Sequence, residues 1–382
     1  MDRSEIFSVA RRLLHHLEQG TTDSDTRGPL RVPAATYTDA AAFETERREI
    51  FGRAPQLLCM SRDLPEAGDY LTHDLLGVPI VAIRGRDGRA RTFVNACTHR
   101  AARLVEDRGN LGTGAVCPYH AWRFDLEGKL AAVNAQATFG PVDRNLHGLR
   151  ELPSVERHGF LFASLGPEPD LDAHLGDLGA QLAFFELDRC EPVARGRFEV
   201  RANWKLSLDT FSEGYHFATL HRDTLGRATL SNLMTYDRFG HRGEHHRLGY
   251  PAKSLAELAG KPESSWGDPF AHFGFVYFLY PNVSMLISAP YVDVFRIYPG
   301  PSVGEQTTLY DLYAREPLTT ESAREEALAY FRYTSEVVER EDFHVTEQEQ
   351  RNLETGAVSA LTFGRNEPAL INLHEVFEST RG

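Results

Sequence analysis

The sequence predicts an α+β protein of two domains, a small all-β module followed by a larger domain of mixed helix and strand. Three observations carry this. Its 382 residues exceed what one hydrophobic core ordinarily holds and allow two or three domains of ~100–200 residues each. From Tyr37 to Leu165 short β-prone runs alternate with turns, and beyond residue 180 long β-prone runs mix with helix-like stretches. Between the two regimes, Gly166 to Gly179 is rich in Gly, Pro and Asp without a sustained period, which places a boundary there.

Taken in order, residues 2–19 read as an amphipathic helix. Asp2 with Glu5 makes a capping box, and Ile6, Ala10, Leu13, Leu14 and Leu17 recur at helical spacing before Gly20. Residues 20–35 are polar and hold Gly20, Gly28, Pro29 and Pro33, a connector. Residues 1–36 are therefore expected to be a helix and linker that pack on the larger domain. Residues 37–166 form the β module, in which Pro79–Arg84 and Arg91–Val94 flank the hairpin signal Asp87-Gly88. Residues 180–382 form the second domain. There 205–221 is helix-like, Phe275–Ile287 and Tyr291–Tyr298 are β-prone, and Glu321–Leu353 reads as helix in two pieces. Alternation puts Tyr291, Asp293, Phe295 and Ile297 on one strand face.

Composition excludes several functions. A net charge of −13 argues against nucleic-acid binding, which needs clustered Lys and Arg. The longest largely apolar run, Phe273–Tyr280, is far short of the ~18 residues of a membrane span. Four Cys are too few for a disulfide framework, and Arg11, Arg12, His15 and His16 break any signal-peptide core, so a cytoplasmic protein with reduced thiols is expected. Gly112-Thr113-Gly114 lacks the third Gly of a dinucleotide fingerprint.

The first concentration of chemistry is Cys97-Thr98-His99 with Cys117-Pro118-Tyr119-His120. Two thiolates and two imidazoles suit either a tetrahedral zinc or a Rieske cluster, in which two His replace two Cys on one iron of a 2Fe-2S centre. Spacing favours the latter, since each short loop offers one sulfur and one nitrogen and two facing loops can supply one iron with both sulfurs and the other with both nitrogens. The flanks, Asn95-Ala-Cys97-Thr-His99-Arg100 and Cys117-Pro-Tyr-His120-Ala121-Trp122, resemble the paired loops of Rieske non-haem iron oxygenase α subunits. Ala101 and Ala121 stand where that family usually has Gly. A methyl group is a small addition, so the loops are expected to shift slightly and still hold the cluster. Cys59 and Cys190 stand apart and read as buried thiols.

The second concentration is Glu213-Gly-Tyr215-His216 with His221, after Asn203-Trp204-Lys205. Two His and a carboxylate with open positions form the facial triad of Fe(II) oxygenases. On a helix His216 and His221 lie a net ~140° apart, so the helix must end, bulge or tighten between them if both bind one metal. Asn-Trp-Lys followed by Glu-x-Tyr-His-x4-His is similar to the mononuclear-iron motif of the same family. The resemblance implies His216 and His221 as ligands, Glu213 as the bridging carboxylate, and Asp342 as the third ligand, within Glu341-Asp342 followed by Glu347 and Gln350. The cluster of His241, Glu244, His245 and His246 reads as a charged loop between elements.

The resemblance further implies an all-β Rieske iron-sulfur domain and a helix-grip catalytic domain, a curved antiparallel sheet around a long helix. Its cofactors are a 2Fe-2S Rieske cluster and mononuclear Fe(II), and its substrates O2 and a small molecule. Electrons come from NAD(P)H through a reductase, with or without a ferredoxin, and pass between subunits of a homotrimer. Arg100, Arg103, Arg108 and Arg123 would face such a donor unless they pair with Glu106 or Asp107. The favoured reaction is hydroxylation of an aromatic or related hydrophobic compound, around Leu225, Leu230, Leu233, Met234, Phe273, Phe275 and Met285, residues equally suited to a core. The alternative is oxidative demethylation or monooxygenation of a quaternary amine or methyl ether. From another class, a zinc-stabilised ligand-binding protein would keep both domains and be colourless.

Overall fold

Asp2 starts the first helix, Arg3–Gln19, by accepting from the backbone N–H of Glu5 at 3.1 Å in a computed structural model that describes residues 1–380. Only half of the expected capping box is made. Glu5 instead accepts from Arg247 at 2.7 Å and from Gln181 at 3.2 Å. The apolar face of the helix (Ile6, Val9, Ala10, Leu13, Leu14) is buried, Phe7 stacks on Trp266, and Arg12 pairs with Asp237 at 2.8 Å.

The chain divides into two units, Met1–Ile50 with Asp172–Gly382, and Phe51–Leu171. Residues 37–50, assigned to the β module from sequence, belong instead to the larger unit. Buried polar groups tie them there: the Tyr37 hydroxyl donates to Asp209 at 2.7 Å, and Glu46 pairs with Lys205 at 2.5 Å and accepts from Trp204 Nε1 at 3.0 Å. The 166–179 segment, read as an irregular linker, carries the helix Leu171–Leu175 and leads into Leu178–Phe184. Buried Leu171, Leu175, Leu178 and Leu182 supply a helical stripe that the surrounding Gly, Pro and Asp masked.

In the smaller unit a five-stranded antiparallel sheet is built on the hairpin Val78–Arg84 and Ala90–Val94, whose turn places Gly88 at φ +79°. Two three-stranded sheets complete it. Its core packs Val81, Ile83, Phe93, Trp122 and Phe124 with Cys97 and Cys117.

The larger unit is a seven-stranded antiparallel sheet running Glu191–Val200, Gln306–Ala314, Tyr291–Pro299, Val283–Ile287, Phe273–Leu279, His245–Pro251, Thr235–Phe239. Apart from its first strand it is a meander, so each strand pairs with its neighbour in sequence. The helix Trp204–Phe211 and the long rod 321–354 pack on one face, where Leu206, Phe295, Tyr310, Leu312, Val338 and Phe343 share a core. That is the helix-grip arrangement. The rod is α-helical over Glu321–Val337 and His344–Glu354 and π-helical over Val338–Phe343, so the two expected pieces are one rod with a widened turn. The polar connector hides a strand, Leu30–Pro33, which pairs with Ala360–Phe363. His245 and His246 are fully buried in a strand, a correction to the charged loop expected there. Among the described residues no helix is long and apolar enough to cross a membrane.

Candidate functional site

The two loops of the smaller unit share one hydrogen-bond pattern. In the first, Cys97 N–H donates to Ala102 O and Ala101 N–H to Cys97 O, both at 2.8 Å; in the second, Cys117 N–H donates to Trp122 O at 2.8 Å and Ala121 N–H to Cys117 O at 3.0 Å. Each loop is closed by an alanine in the left-handed region, Ala101 at φ +58° and Ala121 at φ +55°. Alanine here takes, at a steric cost, the backbone that glycine takes at none. The loops bring the thiols together in the core and hold the imidazoles of His99 and His120 at a centroid distance of 4.7 Å, with Trp122 stacked on His99 at 4.8 Å. Burial pushes the Cys97 thiol up against a bond from the His99 backbone, and the Cys117 thiol adds to the rise. Both Nδ1 atoms are buried without a hydrogen-bond partner. Two adjacent thiols and two orphaned nitrogens are what a 2Fe-2S cluster with one sulfur-bound and one nitrogen-bound iron requires. A single zinc would need all four donors around one point, and no three of them meet within 4.8 Å.

In the larger unit Asn203 caps the helix Trp204–Phe211, its Oδ1 accepting from Lys205 N–H at 3.1 Å. The helix ends at Phe211, before either histidine, which corrects the helical reading of 205–221. A string of turns follows, in which Thr219 and Leu220 N–H donate to His216 O and Gly226 N–H to His221 O. Glu213 fastens its start by accepting from the backbone N–H of Tyr215 and of His216. The Nε2 atoms of His216 and His221 stand 3.1 Å apart, and Asp342 Oδ1 lies 3.6 and 3.2 Å from them. Among the described residues this is the set of three whose donors all fall within 4.8 Å of one another.

Each imidazole carries a carboxylate on its far nitrogen, Glu213 on His216 Nδ1 and Glu341 on His221 Nδ1 at 2.6 Å. A carboxylate accepts only, so both Nδ1 atoms are assigned the proton and both Nε2 lone pairs face Asp342 with no hydrogen between them. A divalent cation satisfies that arrangement, and the residues fit a mononuclear iron. Burial pushes His221 down, but Asp342 and then Glu341 outweigh it and hold its pKa above the ordinary value. The π-helical turn brings Asp342 to the metal point beside Glu341. Glu347 and Gln350 accept from the backbone N–H of Arg201 and Asn203 at 3.1 and 3.0 Å, which ties the rod to the start of the capped helix.

A cavity of about 350 Å³ opens from the triad. Of the seven apolar residues expected around a substrate, Leu225 and Phe273 line it, while Leu230, Leu233, Met234, Phe275 and Met285 do not. The sequence reading missed Phe270, Phe295, Tyr250 and Tyr330, which lie on four separate elements. Only alternation along Tyr291–Tyr298 hinted at one of them. The Tyr250 hydroxyl is buried there without a protein partner. Outside the cavity, Arg103 pairs with Glu106 at 3.1 Å and Arg123 bonds Thr113, while Arg100 lies over the Tyr119 ring.

Comparison with known proteins adds to this geometry. Residues 54–153 match the Rieske [2Fe-2S] domain family, and residues 187–380 match the ring hydroxylating alpha subunit (catalytic domain) family. The carnitine monooxygenase oxygenase subunit of Escherichia coli (strain K12) is 30% identical over 334 residues, 85% of this chain and 84% of the relative. The glycine betaine monooxygenase oxygenase subunit of Chromohalobacter salexigens is 33% identical over 212 residues, 55% of this chain and 46% of the relative. A crystal structure of a quaternary ammonium Rieske monooxygenase with L-carnitine superposes with a TM-score of 0.78 at 21% identity, over 92% of this chain and 96% of the other, which shows the shared fold.

Proposed function

The chain belongs to the Rieske non-haem iron oxygenase α (catalytic) subunit family, and from that premise we propose that it is the oxygenase subunit of a monooxygenase acting on a quaternary or otherwise N-methylated ammonium compound. It is an oxidoreductase whose two domains bind a 2Fe-2S Rieske cluster and a mononuclear iron. The observation that carries the substrate class is the aromatic cavity ending on the His216, His221 and Asp342 triad, in a chain whose extensive relatives oxidise carnitine. Of the two classes expected from the sequence, the ammonium compound comes first and the neutral aromatic compound second. The second is favoured by the largely apolar cavity wall.

In this reading Cys97, His99, Cys117 and His120 hold the cluster and His216, His221 and Asp342 hold the iron. When bound, the cluster supplies electrons and the iron supplies reductive activation of O2. The chain's own residues provide the geometry. Glu213 and Glu341 fix the protons on the two Nδ1 atoms, which points both Nε2 lone pairs at the metal. Glu213 is the bridging carboxylate through which the far side of His216 is reached. Aromatic side chains along the cavity exclude water and would orient a substrate toward the end where His216, His221 and Asp342 would hold the iron. Overall, R–CH2–N(CH3)3⁺, O2, two electrons and two protons give the carbinolamine and water, and breakage of its C–N bond gives R–CHO and trimethylammonium.

A ferredoxin or NAD(P)H-dependent reductase delivers the electrons, and a homotrimer passes them between subunits. The buried thiols of Cys97 and Cys117 suit a reducing cytoplasm. The test is turnover with a surrogate reductase. Release of one amine and one aldehyde per O2, with one labelled oxygen in the carbonyl, is expected before solvent exchange. A cis-diol from a neutral arene carrying both oxygens would establish the second reading. About three irons per chain are expected, two in the cluster and one in the triad, and a colourless zinc protein would sink both readings.

A further inference from the structure

We propose that the cavity takes an ammonium cation bearing no carboxylate, a substrate distinct in class from carnitine and glycine betaine, which are quaternary ammonium carboxylates; the inference rests on the ammonium reading above. The charges around the cavity carry it. Glu213 and Asp342 lie at the metal end. A third acidic group, Asp293, is fully buried behind the lining residue Tyr330, whose hydroxyl donates to it at 3.1 Å as that of Tyr310 does at 2.6 Å; burial pushes its pKa up to about 7, so near neutral pH it carries part of a negative charge that a bound cation would complete. Asp293 shares its strand face with Phe295, which also lines the cavity.

No Lys or Arg stands among the described lining residues. Arg315 comes up behind the wall without lining it: its Nη1 donates to the carbonyls of Ser288 and Ala289 at 3.2 Å each, its guanidinium lies 5.6 Å from the ring centroids of Phe185 and Phe270, and its Nε is buried without a hydrogen-bond partner. Arg222 and Arg227 are exposed and lie 3.5 Å from Asp223. A carboxylate entering this cavity would lose its hydration with no lining Lys or Arg to replace it, and the one cation at the metal end, the iron that His216, His221 and Asp342 would hold, must keep its open positions for O2. A trimethylammonium head loses little hydration and meets a wall that includes the aromatic rings of Tyr250, Phe270, Phe273, Phe295 and Tyr330.

The test is anaerobic titration calorimetry of the iron-loaded holoenzyme with three matched probes: benzyltrimethylammonium, its uncharged isostere neopentylbenzene, and (4-carboxybenzyl)trimethylammonium. We expect benzyltrimethylammonium to bind at least about tenfold more tightly than either of the others. If the carboxylated probe binds as tightly as the plain cation, the inference fails and the ammonium reading survives. If the isostere binds and neither cation does, the ammonium reading itself fails. Asp293→Asn is expected to weaken the cation about fivefold and leave the isostere unchanged. Equal losses for both probes would overturn the role assigned to the buried charge.

Discussion

Ala101 and Ala121 each sit four residues after a cluster cysteine with φ near +55°. A left-handed L-residue costs about 1–2 kcal/mol, and the extra unfolded-state freedom of glycine returns about half of that. Ala101→Gly and Ala121→Gly should therefore each stabilise the smaller unit by about 0.5–1 kcal/mol, read by denaturant unfolding followed at the cluster absorbance. Their positions were legible in the sequence as departures from glycine. Their effect was not, because spacing does not say that both alanines take the left-handed backbone, which costs an L-residue. The second residue of consequence is Glu341, whose Oε2 accepts from His221 Nδ1 at 2.6 Å and from Thr224 Oγ1 at 2.7 Å. Glu341→Gln should weaken iron retention about 10–100-fold while leaving the cluster spectrum unchanged, measured by iron count after dialysis against a chelator. The three residues proposed to hold the iron could be read from spacing and resemblance, whereas Glu341 could only be read as part of a Glu-Asp pair. Its target lies 120 residues away in sequence.

At the scale of elements, the helix at 204–211 is shorter than its pattern suggested because the chain's hydrogen bonds change hands. From Ser212 onward the carboxylate of Glu213 takes the N–H groups that a further helical turn would have donated inward. Helical periodicity sees only side-chain spacing, so this competition was invisible to it. The strand His245–Pro251 shows the converse. Its charged, histidine-rich start looked like a loop, yet His246 is fully buried, stacks on Phe278 at 5.1 Å, and has no hydrogen-bond partner for either ring nitrogen. Burial, with a contribution from His245, pushes its pKa down to about 3. The folded value lies below the unfolded one, so the unfolded chain binds the proton first as pH falls. His246 therefore costs no protonation energy above about pH 6.5 and destabilises by roughly 1.4 kcal/mol per pH unit between there and about pH 3. His246→Phe should be more stable than the wild type, by a margin that widens at that slope below about pH 6 in urea unfolding; a constant margin would contradict the buried neutral imidazole.

At the scale of the whole molecule, the proposed electron transfer between subunits makes a prediction that no single subunit can. A cluster-deficient His99→Ala chain and an iron-deficient Asp342→Ala chain should each be inactive, with the Rieske signal intact in the second. Unfolded together and reassembled at equal amounts, they should recover about a quarter of wild-type turnover, the fraction of neighbouring pairs joining an intact cluster to an intact iron site. No recovery would place both centres of a working pair within one chain. The two-unit division was legible from the change of pattern near residue 166 and the return of residues 1–36 from the amphipathic first helix, but the return of residues 37–50 to the larger unit was not. It depends on pairings such as Tyr37 with Asp209 and Glu46 with Lys205 that span more than 150 positions.

The pairing of Leu30–Pro33 with Ala360–Phe363 sets an order of events during synthesis. The larger unit lacks a strand partner for its own beginning until residue 360 has been made, whereas everything in Phe51–Leu171 exists once residue 171 has been added. At ribosomal speeds of about 5–20 residues per second, those intervening residues take about 10–40 s. The nascent chain thus has a window in which the loops proposed to hold the cluster are complete and the triad proposed to hold the iron is not, so a cluster could be delivered to the protein before it could handle O2.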